Sequence, residues 1–434
     1  MAGDVASRPR VSPFPMVEMD DAIRIVNDNS RVLEAVNVPI GESLGYYLAD
    51  DVVAQDPLPP YRASIMDGYA VVAASGTGDF RVVAPIVAGD SPGVLPHVGA
   101  GEVCRITTGA PVSPGADAVV MVENTELVER AAGGAEGVVR ILVPVTAGTN
   151  IRAVGCDIAS GDVVLRRGAR IGPTDVGLLA SLCMRSVRVH RRPRVALLST
   201  GTELVDVAHC ESGKQQIVDS NRPALLSLLR EAGYECLDLG IVGDTEPAVE
   251  AALRQGLDSC DVLITTGGVS MGETDLVKPM LLRLGCTVEF GRIRMKPGKP
   301  TTVATLRSRN RVVFALPGNP VSAIVTFHLL VLPSLSLFAG APAAAARPTR
   351  VPVTLQQAVR LDPRPEYQRA IVSVVPGGEP GGVRLVASVT GGQASSRLAS
   401  MRAANALLEL PPATDACGRL EEGAVAHALL IGPL

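Results

Sequence analysis

The segment VLITTGGVSMGETD, residues 262–275, carries residue types that suit an anionic ligand. A short apolar run leads into two threonines, two glycines, a serine and two carboxylates. Gly267 and Gly268 lack a Cβ, so the backbone can turn sharply and approach an anion closely. The pattern predicts a strand, a ligand-facing loop and a helix start, placed where open α/β sheets bind ligands. A purely structural Gly-Gly turn would explain the same residues.

A second group of residues could bind an oxyanion. The sequence MKPGKP holds Lys296 and Lys299 three residues apart on a loop fixed by proline and glycine, which predicts a rigid pair of cations. The sequence LPGNPVSA places Ser322 just inside a helix start, where free N–H groups and the helix dipole favour negative charge. Exposed lysines that only promote solubility are the alternative interpretation.

Acidic and hydroxyl side chains on loops of a β-rich region form a third group. Asp67 precedes a strand, Thr108 follows the turn RITTGA, and Asp157 lies on the turn of NIRAVGCDI. Turn capping is the ordinary role of such residues and is the alternative for each. Further on, either Ser220 or Asn221 is expected to cap a helix.

Composition narrows the functional classes. The chain has 434 residues and a formal net charge of −4, which argues against a nucleic-acid-binding surface. Eight cysteines without a C-x-x-C pair predict neither a zinc cluster nor a disulfide framework, so a metal would need oxygen ligands. No signal peptide and no apolar run of about 18 residues is recognised, and we expect a cytoplasmic enzyme that does not contact the membrane.

The elements that must position these residues fall into several predicted domains of an α/β plus β chain. Residues 17–36 are predicted to form one helix or two, and residues 41–53 a further short helical piece. The strands between residues 80 and 145 predict a small antiparallel barrel or sandwich. From residue 195, strands alternate with helices, which predicts a parallel, doubly wound, three-layer sheet that ends in a long apolar helix from Val321 to Phe338.

The predicted domain boundaries follow from these changes in pattern. They are a flexible tail over residues 1–16, a helical and mixed dimerisation region over 17–60 and 155–190, an inserted β-rich domain over 61–154, an α/β domain over 193–339 and a small C-terminal β-domain over 347–434.

Seven motifs in order resemble one family. They are ASIMDGYAV, RITTGAP, DSNRP, GGVSMGETD, MKPGKPTT, ALPGNPVSA and SSRLASMRAANALLELPP. Together they resemble the molybdopterin molybdenumtransferases, the MoeA proteins and the gephyrin E domain, over nearly the whole chain after Val17. The resemblance implies four domains, a homodimer with its active cleft between subunits, and Mg²⁺-dependent insertion of molybdate into adenylylated molybdopterin with release of AMP. The α/β domain is then the molybdopterin-binding domain.

The resemblance also implies roles for individual residues. The acids and the threonine expected in catalysis are Asp67, Thr108, Asp157 and Asp275. Those expected to bind the cofactor or molybdate are Glu203, Ser220, Asn221, Gly267, Gly268, Ser270, Lys296, Lys299, Pro300, Ser322, Arg369 and Ser400. The expected Mg²⁺ ligands are Asp67, Asp157, Asp244 and Asp275, which are hard oxygen donors.

One position departs from the family pattern. Arg292 stands where many bacterial members have a lysine, as in the gephyrin-like members, which keeps the charge and weakens a specific role for lysine there. Because no second enzyme domain is recognised, a separate molybdopterin adenylyltransferase is expected upstream and acceptor molybdoenzymes downstream. Three alternatives stay open: an adenylyltransferase-like enzyme, a nicotinamide-nucleotide deamidase-like enzyme and a non-enzymatic scaffold.

Overall fold

The computed structural model describes residue 14 and residues 16–211, 217–269, 276–377 and 382–434. The chain divides into two compact units. One comprises Met1–Asn37, Gly45–Ala49 and Arg188–Leu434, and the other comprises Val38–Leu44 and Asp50–Val187. The second unit is therefore an insertion in the sequence of the first.

A six-stranded sheet forms the core of the inserted unit. In spatial order its strands are Ala118–Met121, Gly68–Val71, Glu102–Ile106, Gly78–Ile86, Glu136–Ile141 and Thr125–Arg130. Alternate residues bury on opposite faces, with Ala70 and Cys104 in one apolar cluster and Tyr69 and Val103 in another. The unit's other strands and helix are Val52–Val53, Ala63–Ser64, Ile151–Arg152, Val163–Leu165 and Pro173–Ser181.

This sheet differs from the predicted antiparallel barrel or sandwich. It is a single mixed sheet, because Gly78–Ile86 runs parallel to Glu102–Ile106. Residues 87–101 connect these two strands and are numerous enough for the crossover that a parallel pair requires. The β-rich character of the region was predicted correctly.

A second six-stranded sheet forms the α/β domain. Its order is Cys236–Val242, Val195–Thr200, Val262–Thr266, Arg311–Leu316, Thr302–Leu306 and Thr287–Phe290. One apolar cluster joins this sheet to helices Asn221–Glu231 and Pro320–Phe338, and another joins it to Glu246–Ser259 and Val277–Arg283. The predicted three layers are confirmed. The short strands and helix nearby are Met16–Val17, Leu204–Val205, Ile217–Val218, Arg292–Ile293 and Ala343–Ala346.

The prediction of a wholly parallel sheet was wrong. The first four strands are parallel, whereas Thr302–Leu306 pairs antiparallel with both of its neighbours. The four residues 307–310 that lead from this strand to Arg311–Leu316 allow a hairpin, and a parallel pair would need a crossover.

The helix Pro320–Phe338 corrects the expectation that no apolar run of about 18 residues exists. Within the described ranges it is the one helix long and apolar enough to cross a membrane. Its apolar window is 83% buried against the sheet and against helix Met19–Asn29, as in a core helix. Residues Phe327–Val331 form a π-helical segment within it.

The C-terminal domain is a closed five-stranded barrel. Its strands in order are Arg350–Leu355, Val383–Val389, Glu366–Pro376, Ala406–Leu410 and Val425–Leu430. Closure leaves no long strand edge unpaired, and a separate apolar cluster fills the interior. Val359–Arg360 and Arg419–Leu420 pair beside it. The predicted small β-domain is confirmed as a barrel.

Near the N-terminus, the prediction over 17–36 was right in its one-helix form but too long, and the helical prediction over 41–53 was wrong. Helix Met19–Asn29 exists, but residues Ala35–Pro39 form a strand, so no second helix follows it. In the segment 41–53, the only helical turn is the 3₁₀ turn Ile40–Glu42, and Val52–Val53 is a strand. The β-branched valines of these segments favour the extended backbone they adopt. Further along the chain, helix Pro173–Ser181 is followed by the strand Ser186–His190.

Candidate functional site

The glycine turn, Gly267 and Gly268, packs directly against the end of a neighbouring strand. Both residues have positive φ, +88° and +62°. A Cβ on Gly267 would lie 2.4 Å from the Thr200 carbonyl oxygen, and one on Gly268 would lie 2.8 Å from Thr200 Oγ1. Only glycine therefore fits both the backbone conformation and the space.

A cavity of about 480 Å³ opens in front of this turn, beyond the carboxyl ends of the parallel strands. Seven residues predicted from the sequence line it: Glu203, Ser220, Asn221, Asp244, Gly267, Gly268 and Pro300. The structure thus brings together residues spread over almost 100 positions of sequence, at the edge where open α/β sheets bind ligands. We call this space the cavity.

Asp219 organises one wall of the cavity, and it was not predicted. Its Oδ1 accepts the backbone N–H groups of Asn221 and Arg222, both at 3.1 Å, where helix Asn221–Glu231 begins. Asn221 Nδ2 in turn donates to the Gly318 carbonyl at 2.8 Å. Ser220, at the N-cap position, makes no side-chain cap bond. The aspartate that precedes Ser-Asn in the motif DSNRP was the available signal.

Asn221 Oδ1 is buried and accepts no hydrogen bond from the described residues. A buried acceptor without a donor costs free energy, so an ordered water or a bound ligand usually donates a hydrogen bond to such an atom. Because Asn221 lines the cavity, a ligand with an N–H group would satisfy it.

Glu203 and Asp244 place two carboxylates on the cavity lining. Asp244 Oδ2 accepts the Thr202 backbone N–H at 3.0 Å, and Thr202 Oγ1 accepts the Asp244 N–H at 3.0 Å, so the two loops are tied together. Across the parts of the chain that the structure describes, no group of three or more His, Cys, Asp or Glu side chains could hold a metal. Ser270 and Asp275 lie outside the described residues.

Lys296 is engaged in ion pairs with the barrel domain. Its Nζ lies 3.1 Å from Asp362 Oδ2 and 3.0 Å from Glu366 Oε1. Burial alone would lower the pKa of this ammonium, but the two carboxylates raise its pKa above the ordinary value. Lys299, three residues on, is exposed. The two predicted cations therefore differ in environment, which their spacing did not indicate.

Arg369 and Ser400 are in contact within the barrel domain. Arg369 is fully buried, and its Nε donates to Ser400 Oγ at 3.1 Å while Nη2 donates to the Ala394 carbonyl at 3.3 Å. Burial lowers the pKa of the guanidinium to about 10. Nη1 is buried and donates to no described atom. Ser322 is also buried, in the first turn of helix Pro320–Phe338.

In the inserted unit, Asp67 and Thr108 are in contact. Asp67 Oδ1 accepts the Thr108 backbone N–H at 2.7 Å and its hydroxyl at 3.1 Å. Asp157 instead forms an ion pair with Arg152. Both aspartates are exposed, so both carboxylates are available to a ligand.

Three family models match the chain in order. Residues 17–183 match the MoeA N-terminal region, domains I and II; residues 196–336 match a probable molybdopterin binding domain; and residues 352–431 match the MoeA C-terminal region, domain IV. The cavity lies within the second match. The fold and the matched regions thus define a multidomain protein with a molybdopterin-binding type of α/β domain.

Similar proteins narrow this class to one family. The chain is 33% identical to a molybdopterin molybdenumtransferase of Bacillus subtilis, over 97% of this chain and 94% of that protein. A MoeA protein of molybdopterin biosynthesis from Pyrococcus horikoshii superimposes with a TM-score of 0.78 at 27% identity, covering 97% of this chain and all of that one. The chain belongs to the MoeA family of molybdopterin molybdenumtransferases.

Two further relatives are longer than this chain. It is 37% identical to gephyrin of Dictyostelium discoideum and 36% identical to the molybdenum cofactor synthesis protein cinnamon of Drosophila melanogaster. These matches include 99% and 93% of this chain, respectively, but only 64% of the length of each relative.

Proposed function

We propose that this chain inserts molybdate into adenylylated molybdopterin and releases AMP. The observation that carries the proposal is the cavity whose wall is made by the glycine turn and which is lined by Asn221, whose buried Oδ1 accepts no hydrogen bond from the described residues. Pterin and adenine rings both carry N–H donors that could satisfy this oxygen. The wall without side chains lets a flat ring or a phosphate approach the backbone closely.

The oxyanion is proposed to bind at the cations near the cavity. Molybdate is a dianion, so it needs positive charge and hydrogen-bond donors. Lys299 is exposed and directly precedes Pro300, which lines the cavity. Arg369 Nη1 offers a buried donor that has no partner among the described residues. Together with Lys296, Ser322 and Ser400, these residues form the proposed molybdate subsite.

The carboxylates on the cavity lining fit a magnesium ion bound together with substrate. Mg²⁺ is usually held by one or two carboxylates plus the phosphates of its ligand, and among the described residues of the cavity lining Glu203 and Asp244 supply two carboxylates. These two residues would hold the ion, which would neutralise charge on the phosphoanhydride. The proposed roles of Asp67, Asp157 and Asp275 remain predictions.

The proposed reaction breaks one bond of the phosphoanhydride. A molybdate oxygen or a water attacks the adenylyl phosphorus, the bridging P–O bond breaks with molybdopterin phosphate as the leaving group, and AMP departs with the attacking oxygen. The two pterin thiols then replace oxygen ligands of molybdate, and the displaced oxygens leave as water or hydroxide with the thiol protons. Lys299 and Arg369 orient the oxyanion, and Asn221 orients the ring system. Holding both reactants in place is the main contribution expected of the protein.

The direct test is a single-turnover assay with adenylylated molybdopterin, Mg²⁺ and molybdate. We expect AMP to be released together with a cofactor that activates a molybdoenzyme apoprotein. Omission of molybdate should stop formation of active cofactor. Adenylylation of free molybdopterin by ATP would instead support an adenylyltransferase, and binding without any turnover would support a scaffold.

We also propose a homodimer in which Asp67, Thr108 and Asp157 of one subunit serve the cavity of the other. An Asp67→Asn variant should fold but release AMP slowly.

Co-expression of Asp67→Asn with Asn221→Ala should restore about a quarter of wild-type activity, because half of the dimers are mixed and each mixed dimer has one intact site. A mixture no more active than its parents would contradict the shared site, with light scattering to confirm the dimer.

A further inference from the structure

The Lys296 ammonium lies between two carboxylates of the barrel domain, Asp362 and Glu366, at 3.1 and 3.0 Å. The backbone keeps it there. Lys296 N–H donates to the Pro365 carbonyl at 2.9 Å, and Tyr367 N–H donates to the Lys296 carbonyl at 2.7 Å. The loop that carries the lysine is thus hydrogen-bonded to the start of strand Glu366–Pro376.

The two carboxylates are fixed more firmly than the lysine. The Glu366 side chain is 2% exposed, and its Oε2 accepts a hydrogen bond from Gln368 Nε2 at 3.1 Å. Asp362 Oδ1 accepts the backbone N–H of Arg364 at 3.0 Å and its Nε at 3.1 Å. The Lys296 side chain is 35% exposed on a flexible stem. The lysine is therefore the partner that can move.

Charge in this cluster opposes a simple oxyanion site. The Lys296 ammonium faces Asp362, which also pairs with Arg364, and Glu366, so an approaching dianion meets a lysine whose charge is already compensated. Glu366 Oε1 lies 3.0 Å from Lys296 Nζ and pairs with it, but the lysine side chain is 35% exposed, so its ammonium is accessible to another anion. Rotation of the flexible stem can therefore exchange Glu366 for an incoming anion.

We propose that Glu366 sets the oxyanion affinity of this protein by holding Lys296, so that molybdate binds the lysine only by displacing it from this carboxylate. This inference rests on the proposed function, in which Lys296 belongs to the molybdate subsite. Weak binding of the substrate oxyanion serves the reaction, because an oxyanion held too tightly before transfer would raise the barrier to its transfer. Glu366 acts through Lys296 and is a positioning residue.

The test is the variant Glu366→Gln, titrated with sodium molybdate in a calorimeter. Glutamine keeps an oxygen to accept the Gln368 hydrogen bond and removes only the charge. We expect molybdate to bind about tenfold more tightly, and the KM for molybdate to fall without a rise in kcat. The matched control is Glu421→Gln, which removes the same charge from an exposed pair with Arg419 in the same domain and should leave the affinity unchanged.

Two further variants make every outcome decisive. Lys296→Ala should weaken molybdate binding; if neither it nor Glu366→Gln changes the affinity, Lys296 is not in the subsite and that part of the proposed function fails. If Lys296→Ala weakens binding but Glu366→Gln does not strengthen it, the inference alone is wrong. If Glu366→Gln does not fold, Asp362→Asn replaces it, and unchanged affinity in that variant would overturn the proposal.

Discussion

The cavity and the Lys296 cluster prepare for their ligands in different ways. The cavity is shaped by backbone: positive φ at the glycine turn, the helix start held by Asp219 and the bond from Asn221 to Gly318. The cluster is shaped by charge, with one ammonium compensated by two carboxylates. Among the described residues, the cavity leaves Asn221 Oδ1 without a donor, whereas oxyanion binding as proposed for the cluster exchanges an ion pair.

This difference indicates how one protein could bind two anionic substrates. A preformed wall costs little reorganisation when a large, mostly flat ligand binds. A compensated lysine makes a small oxyanion bind weakly and leave readily. The comparison predicts that substitutions at the cavity act through shape, and that substitutions at the cluster act through charge.

The largest expected effect comes from filling the glycine turn. Gly267→Ala would force a Cβ to within 2.4 Å of the Thr200 carbonyl at a φ of +88°. We expect a loss of roughly 4 kcal/mol in the free energy of unfolding and a fall in activity of roughly a hundredfold. Chemical denaturation and the AMP assay measure the two effects.

Gly318→Ala is the matched control for that change. Gly318 lines the same cavity, but its added Cβ would meet only ordinary contact, 3.7 Å from the Gly267 Cα. Near-wild-type stability is expected. If the two alanine variants were equally stable, the wall would not depend on close packing of its backbone.

A smaller effect concerns how the stability of the protein depends on pH. It involves His328 in helix Pro320–Phe338. Burial lowers the pKa of His328 to about 4, whereas an unfolded histidine titrates near 6.5. Between these values the unfolded chain binds the proton and the folded protein does not. Stability should therefore decline by about 3 kcal/mol as pH falls from 6.5 to about 4.

His328→Leu should remove this part of the pH dependence. His427→Leu, at a half-buried histidine on strand Val425–Leu430 of the barrel, is the control and should keep it. Denaturation curves at several pH values provide the measurement. If His328→Leu and the wild type had the same pH profile of stability, this buried histidine would not set the acid sensitivity of the fold.

The smallest effect tests the hydrogen bond inside the cavity wall. Asn221→Ala removes the bond to the Gly318 carbonyl and should cost about 1.5 kcal/mol. Asn29→Ala removes a bond of the same kind and length, to the Ile25 carbonyl in helix Met19–Asn29. Similar losses of stability are expected, but only Asn221→Ala should impair ligand binding. Impaired binding in both variants would mean that general stability explains the effect.

The sequence was sufficient where patterns are local. The helix Glu246–Ser259 and the strand Val262–Thr266 follow from periodicity and from a short apolar run, and the Gly-Gly pair marked the cavity wall. The strand Thr302–Leu306 was assigned the wrong direction because its four-residue connection to Arg311–Leu316 was not weighed. The helix predicted over residues 17–36 extended too far, into the first two residues of strand Ala35–Pro39, because a few valines fit both periods.

Contacts between distant residues could not be predicted from the sequence. Asp362 and Glu366 lie 66 and 70 positions after Lys296 (362 − 296 and 366 − 296) and carry no motif that links them to it. The spacing of Lys296 and Lys299 suggested two equivalent cations, but the fold pairs one with carboxylates and leaves the other exposed. The unpartnered oxygen of Asn221 likewise depends on which neighbours the folded chain supplies.

Separate titration of the two substrates tests the central claim most directly. Calorimetry would measure binding of molybdate and of adenylylated molybdopterin to the wild type, to Lys299→Ala and to Asn221→Ala. The account predicts that Lys299→Ala loses affinity for molybdate and keeps the pterin, whereas Asn221→Ala loses affinity for the pterin and keeps molybdate. Unchanged molybdate affinity in Lys299→Ala, or loss of both ligands in either folded variant, would contradict it.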